Sequence, residues 1–458
     1  MSDTPPPAGP RRPIAHILDA LQCSLDAFNR LLSEPLTKAE LFKCLHDGSG
    51  LPDKEISASA DRIVDLLGSI EHLLEPGALK LADHFLGYST TKCLVAAVEL
   101  GIADHLSHGR LKLTELASVA QAKPNRLGQI LRPLYTNNIF AYDELTGEYA
   151  NNHVSELLRS DHWTQWHNWV DLYGNEFYEI ATGIPKAVKE DGQARCAAQV
   201  VFDTDDNMFT YFDRRGWVPR LHRTLGGGAN AMAPGILEDY PWHEVANTTI
   251  MDIGGGGGAL IASLLRGFPT MKGAIFDLPT VIDHIGPFFG TGGQFNDIGA
   301  RVTDLIAGDF LKEVPPFDAY TMKWVLHDWD DSLSLQILRN IRTAIRVGVG
   351  SRLVILESVL SDRRSSRLSV YGDINMMMTA NGQERTEWQW RTLAEASGWV
   401  MHGIFPIRNA WVQAIDLRPC EPFQSKEHNT IDGPRQDLKA CDNGERAQEP
   451  TEGDHAKE

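Results

Sequence analysis

Four stretches in the C-terminal half carry side chains suited to holding a ligand. Asp252-Ile253-Gly254-Gly255-Gly256-Gly257-Gly258 follows a short apolar run and precedes another of helical spacing. Glycines between a strand and a helix allow a tight turn, and they let backbone N–H groups and the helix N-terminus approach a ligand closely. Gly254-x-Gly256-x-x-Ala259 also satisfies the dinucleotide fingerprint, so the loop alone leaves NAD in play beside other adenosine cofactors. Asp277 lies 23 residues after Gly254, where a carboxylate can accept both ribose hydroxyls, a contact that either kind of cofactor needs. Gly308-Asp309-Phe310 sets an acid beside an apolar ring, a pair able to hydrogen-bond and sandwich an adenine. Lys323-Trp324-Val325-Leu326-His327-Asp328-Trp329-Asp330-Asp331 places a lysine, a histidine and three acids after a fourth apolar run.

The elements that position these residues follow from periodicity. Strands are expected at Thr249–Ile253, Gly273–Phe276, Val302–Ala307, Ala319–Leu326 and Leu353–Leu356. Helices intervene at Ala259–Arg266 and along Leu333, Ile337, Leu338, Ile341 and Ile345. Such βαβα alternation calls for a mostly parallel, doubly wound α/β sheet of Rossmann type, whose ligands bind beyond the carboxyl ends of the strands. Trp399–Phe405 and Asn409–Ile415 read as a closing antiparallel hairpin.

Upstream, Ile14 to Leu74 is helical in spacing. Helices at Thr91–Leu100, at Thr114–Val119 with Thr114 as N-cap, and after Pro124 lead to a hairpin over Ile139–Tyr149. Three helices and a hairpin make a winged-helix pattern. From Trp163 to Met232 the chain is helical and dense in aromatics, among them Trp166, Trp169, Tyr173, Phe177, Tyr211, Phe212 and Trp217. Aromatics so spaced fill a core or line a flat apolar pocket. The organisation expected is an unstructured start over 1–13, a helical and winged-helix unit over 14–160, a catalytic unit over 161–417, and an unstructured acidic tail over 418–458.

Bulk properties narrow the partners. The chain has 458 residues, a net charge of −18, 42% hydrophobic and 23% charged residues. That is an ordinary globular composition, and its acidity argues against nucleic acid, or an anionic membrane surface, as a main partner. No apolar run is long enough to span a bilayer, and Met1–Pro13 lacks the apolar core of a signal peptide. Cys23, Cys44, Cys93, Cys196, Cys420 and Cys441 are scattered without metal spacing, as reduced cytoplasmic thiols would be.

Taken in order, Asp252–Gly258, Phe276-Asp277-Leu278-Pro279, Gly308-Asp309-Phe310, Lys323–Asp331 and Asn381-Gly382-Gln383-Glu384-Arg385-Thr386 resemble the small-molecule O-methyltransferases of the plant caffeic-acid type and their fungal secondary-metabolite relatives. The resemblance covers roughly Leu81 to Ile415. It implies a homodimer built through a winged-helix domain, and a Rossmann-like domain that binds S-adenosyl-L-methionine through Gly254, Asp277, Asp309, Phe310 and Lys323. It further implies that His327 is the catalytic base, flanked by Glu357 and Glu384, and that the acceptor is a hydroxyl of a small aromatic molecule. The spacing before Glu384 is one residue shorter than in many plant members. The N-terminal helices and the acidic tail are longer than a minimal plant enzyme needs.

The residues suit that chemistry. The methyl donor is already activated, so the protein must align acceptor and methyl group and remove one proton. A neutral imidazole, of ordinary pKa about 6.5, can take the proton of a phenol of pKa about 10 as the oxygen attacks. A carboxylate on the other ring nitrogen would fix the tautomer. Asp328, Asp330 and Asp331 are adjacent, but a strand-to-helix turn points them apart, so no metal is expected. An N-methyltransferase, a silent methyltransferase-like partner protein and an NAD-dependent oxidoreductase are the rival readings. His84, His105, His167 and His222 lack comparable context and read as structural or surface residues.

Overall fold

The computed structural model describes residues 11–47, 50–189, 195–363 and 366–420. A seven-stranded sheet forms its C-terminal half: β1 Thr249–Ile253, β2 Lys272–Asp277, β3 Val302–Ala307, β4 Ala319–Lys323, β5 Arg352–Glu357, β6 Trp399–Pro406 and β7 Gln413–Pro419. The order across the sheet is β6-β7-β5-β4-β1-β2-β3. Strands β1 to β5 pair in parallel, while β7 runs antiparallel between β5 and β6. The doubly wound α/β architecture is thus as expected.

Runs such as Leu353-Val354-Ile355-Leu356 have no polar face because helices cover both sides of the sheet. One side buries Met251, Met322, Ile337, Ile341, Trp390 and Trp399. The other buries Ile250, Ile261, Leu264, Leu265, Trp242 and Val354. Winding leaves β1 toward β2 and β3, but starts again at β4 toward β5. The carboxyl ends of the neighbours β1 and β4 therefore open the crevice where such sheets bind ligands.

Several strand boundaries shift by a residue, and three shift further: β7 runs to Pro419 rather than Ile415, and the end of β4 and the start of β7 move as well. β4 stops at Lys323 rather than Leu326 because Trp324 adopts φ +56°, which turns the backbone out of the strand. β7 begins at Gln413 rather than Asn409. Arg408 is held in the connector by Asp239, which accepts from its backbone N–H (2.8 Å) and its guanidinium (2.8–3.0 Å), and Asn409 has φ +54°.

The N-terminal half starts with helices Arg11–Ser33, Pro35–His46, Lys54–Leu74 and Gly77–Glu99. A winged helix follows. Short strands Leu111–Lys112, Ala141–Asp143 and Glu148–Ala150 form a three-stranded sheet against helices Leu113–Val119 and Pro124–Thr136, around buried Ile102, Leu116, Leu127, Leu131, Leu134 and Phe140. Thr114 is not the N-cap. The chain enters the helix directly from the strand paired with Glu148 and Tyr149, and Glu115 accepts a hydrogen bond from Lys112 N (2.9 Å). Ile14, Leu18, Leu25, Phe28, Leu31, Leu81 and Phe85 are exposed. Of the expected unstructured ends, residues 1–10 and 421–458 lie outside the described residues; Arg11 begins a helix, and β7 continues to Pro419.

Between the halves, helices from Trp166 to Asp239 hold the aromatic stretch. Trp169, Phe177, Tyr211 and Phe212 are buried, and a ladder of rings runs Trp411–Trp169–Tyr173–Phe177–Phe212 with centroids 4.4 to 6.1 Å apart. No helix of the described residues is long and apolar enough to cross a membrane. The five described cysteines are unpaired.

Candidate active site

Around the glycine loop, backbone and carboxylate lock together. Gly254 has φ +68°, and a side chain there would start 2.8 Å from Val325 Cγ2, so the loop can pass beneath the β4 turn only with glycine. Asp277, at the tip of β2, accepts from Gly256 N at 2.9 Å and from Leu278 N at 2.7 Å. Each of its oxygens keeps a further lone pair for a ligand hydroxyl. Above Gly256 and Gly257 nothing lies within 4 Å of where a side chain would begin. Those backbone groups therefore border open space, while Gly258, which caps helix Ala259–Gly267, is buried against Phe289 and Ile275.

Gly308 N extends the β2–β3 pairing by donating to Asp277 O at 2.9 Å, which sets Asp309 and Phe310 at the same sheet edge. Asp309 is partly engaged, accepting from Leu311 N and lying 3.2 Å from Lys312 Nζ. The Phe310 ring stands edge-on to Trp329 at 5.8 Å.

The β4 end builds the second half of the site. After Lys323 the left-handed turn at Trp324 directs Val325 N and Leu326 N onto Glu357 Oε1, at 2.8 and 3.0 Å. Glu357 ends β5, the neighbour of β4, so these bonds fix its carboxylate beneath the turn. Its other oxygen then lies 3.2 Å from His327 Nδ1. Glu384 reaches the same nitrogen from another loop, with Oε1 at 3.0 Å. Its loop is anchored by Gln383 N donating to His327 O (2.9 Å) and Glu384 N donating to Asp373 Oδ1 (2.8 Å). At Gly382 a side chain would start 2.1 Å from His327 O, so this close approach requires glycine. Arg385, which could have neutralised either glutamate, instead bonds Asp331, Ser334 and the carbonyls of Leu326 and Trp329.

The sequence reading has Glu357 and Glu384 flank His327; the structure brings both carboxylates to Nδ1. With both carboxylates ionised, that nitrogen carries the proton, because their oxygens then only accept. Nε2 is left to face an acceptor, with Asp328 Oδ1 at 3.8 Å. All three groups are dry: His327 is 7%, Glu357 0% and Glu384 4% exposed. Burial alone would lower the imidazole pKa, but Glu357, Glu384 and Asp328 outweigh it and push it up to about 10. Burial also pushes the Glu357 carboxyl up, against the pull of His327. The cluster therefore titrates as a unit rather than as separate groups.

Three features escaped sequence reasoning. Asp252, on β1, is buried and Lys323 half-buried, and they act on one another: burial drives Asp252 up to about 8 and Lys323 down to about 8, each shift opposed by the other's charge. Asp328 is likewise pushed up by burial, to about 6. Trp324, within the recognised motif, lies with its ring centroid 4.1 Å from Lys323 Nζ and 6.2 Å from the Trp169 ring. A strand-centre acid such as Asp252 is a signal in itself, since ionisable groups are rarely buried without a partner.

The dimerisation-domain profile of the O-methyltransferases matches residues 82–161, and the O-methyltransferase domain profile matches residues 243–400. O-methyltransferase aclM of Aspergillus oryzae is 57% identical over 413 residues, covering 87% of this chain and 95% of its own. The chain belongs to the S-adenosylmethionine-dependent O-methyltransferases. O-methyltransferase verK of Clonostachys rogersoniana is 48% identical, covering 88% of this chain and 98% of its own. Among solved structures, human N-acetylserotonin methyltransferase in complex with S-adenosylmethionine is 25% identical with a TM-score of 0.64, covering 76% of this chain and 99% of that one.

The crevice of this O-methyltransferase fits that cofactor. Asp277 can accept ribose hydroxyls, the Gly256–Gly257 backbone borders open space, and Lys323 sits across from the loop. When bound, S-adenosylmethionine supplies an activated methyl group on a sulfonium, whose charge also opposes retention of a proton on His327. His327, Glu357 and Glu384 place donor atoms within 4.8 Å of one another, a set a divalent cation could also use. The atoms involved are those that already face the Nδ1 proton, and that proton would have to leave first.

Proposed function

We propose that this O-methyltransferase methylates a hydroxyl of a small aromatic metabolite, with His327 Nε2 taking the acceptor's proton. The observation that carries the reading is the hydrogen bond between Nδ1 and Glu384, with the Glu357 carboxylate 3.2 Å from the same nitrogen; together they orient the ring and stabilise the imidazolium that forms. Gly254, Asp277, Asp309, Phe310 and Lys323 would hold S-adenosylmethionine. The human methyltransferase of the comparison is named for an aromatic alcohol, N-acetylserotonin. The protein acts without metal, in the cytoplasm, as a homodimer joined through residues 14–160, with 161–417 as the catalytic unit.

His327→Gln tests the assignment. It keeps approximate size but cannot take a proton near neutral pH, so turnover should fall about 10²–10⁴-fold. Binding of S-adenosylmethionine by calorimetry should persist. Near-full activity in this variant would make His327 structural.

A further inference from the structure

Trp324 joins the turn that fixes Glu357 to an indole that neither the glycine loop nor the base requires. Its φ of +56° is a left-handed value that a bulky side chain adopts only where its surroundings enforce it. Trp324 N still donates to Leu356 O at 3.2 Å, so the pairing with β5 persists to this residue before the chain turns onto Glu357. The indole is half-buried, with Lys323 Nζ 4.1 Å from its centroid on one side and Trp169 edge-on at 6.2 Å.

Lys323 needs such a neighbour. The charges of Asp252 on β1 and Glu357 on β5 favour its ammonium, but desolvation outweighs both and draws its pKa down to about 8. Near neutral pH it keeps its proton by a narrow margin. An aromatic face within about 6 Å favours the charged form, most strongly where water is excluded.

We propose that Trp324 is a positioning residue that seats the Lys323 ammonium at the cofactor crevice through its indole face. The left-handed turn is what brings that face over the lysine that precedes it. The proposal rests on the reading that Lys323 contacts the cofactor, and the experiment separates the two.

Calorimetry would give the dissociation constant of S-adenosylhomocysteine across about pH 6.5 to 9.5 for the wild type, Trp324→Phe, Trp324→Gly and Lys323→Met, with circular dichroism melts to establish folding. Wild-type affinity should fall as pH rises through the Lys323 range. Trp324→Phe keeps an aromatic face and should stay within about threefold of wild type. Trp324→Gly relieves the backbone yet removes the face; it should bind roughly tenfold or more weakly, with its falling limb at lower pH. Should glycine prevent folding, Trp324→Leu keeps bulk without the π face and is expected to show the same loss. Wild-type affinity and an unmoved limb in the folded glycine or leucine variant would overturn the proposal. Lys323→Met binding like wild type would instead remove the parent reading, that Lys323 holds the cofactor.

Discussion

Glu384→Gln should move the pH dependence of turnover downward, a direction set by the geometry. His327 serves as base only with Nε2 unprotonated, so turnover rises with pH through the imidazole pKa. Burial would lower that pKa, but Glu357, Glu384 and Asp328 raise it to about 10, so the wild-type limb should lie above the ordinary histidine range. Glutamine keeps an oxygen for the Nδ1 proton, now 3.0 Å from Glu384 Oε1, but removes the charge. A hydrogen bond to a charged partner contributes about 1.5–3 kcal/mol. At 1.36 kcal/mol per pKa unit, this moves the limb down by about 1–2 pH units. The plateau should fall roughly tenfold or more, since the imidazolium formed in the transition state keeps a neutral hydrogen bond but loses the carboxylate's charge. Single-turnover transfer of labelled methyl from S-adenosylmethionine, run across pH, reads both quantities. A limb that stays in place, or moves up, would refute the reasoning. A rate that tracks ionisation of the free acceptor in both enzymes would mean the protein only aligns a phenolate.

Asp277→Ala should weaken S-adenosylmethionine binding at least tenfold by calorimetry, because the carboxylate would hold the ribose while also tethering Gly256 N. An unchanged dissociation constant would remove the assignment. A dimer is expected by light scattering at micromolar concentration, and Phe85→Glu should shift it toward monomer by placing a charge in the interface; a wild-type monomer contradicts the reading. Treatment with a chelator should leave turnover within experimental error, and a loss restored by a divalent cation would instead assign His327, Glu357 and Glu384 as ligands.

What the sequence made legible was local. Alternating apolar runs and helical spacing specify a parallel sheet. The glycine loop and Asp277 are readable because a tight turn and a strand-end acid leave marks within a few residues. Asp330 likewise caps the helix that follows His327, accepting from Leu333 N at 2.9 Å. Side-chain aim was not legible. That both glutamates face Nδ1 depends on the β4–β5 register, in which Lys323 pairs with Leu356, and on a loop 57 residues beyond the histidine. The Asp252–Lys323 pair escaped for the same reason, since its members meet only because β1 and β4 are neighbours across the topological break.

The site is aimed at the points where the backbone leaves regular structure. Trp324 and Asn381 both carry positive φ, and they stand on opposite sides of His327. The first ends β4 and turns two N–H groups onto Glu357, which would otherwise be a buried carboxylate at a strand end with no fixed orientation. The second ends helix Arg367–Ala380, its N–H donating to Met376 O, and sends Gly382, Gln383 and Glu384 against the His327 backbone. Each turn thus delivers one carboxylate to the same ring nitrogen, from elements that share no sequence neighbourhood. Either turn alone would leave the imidazole with one anchor and freedom to rotate. With both, the ring can present only Nε2 to an acceptor. The bulky residue tolerated at the first turn and the glycine required after the second are consequences of that arrangement, which brings two carboxylates within 3.2 Å of a single nitrogen.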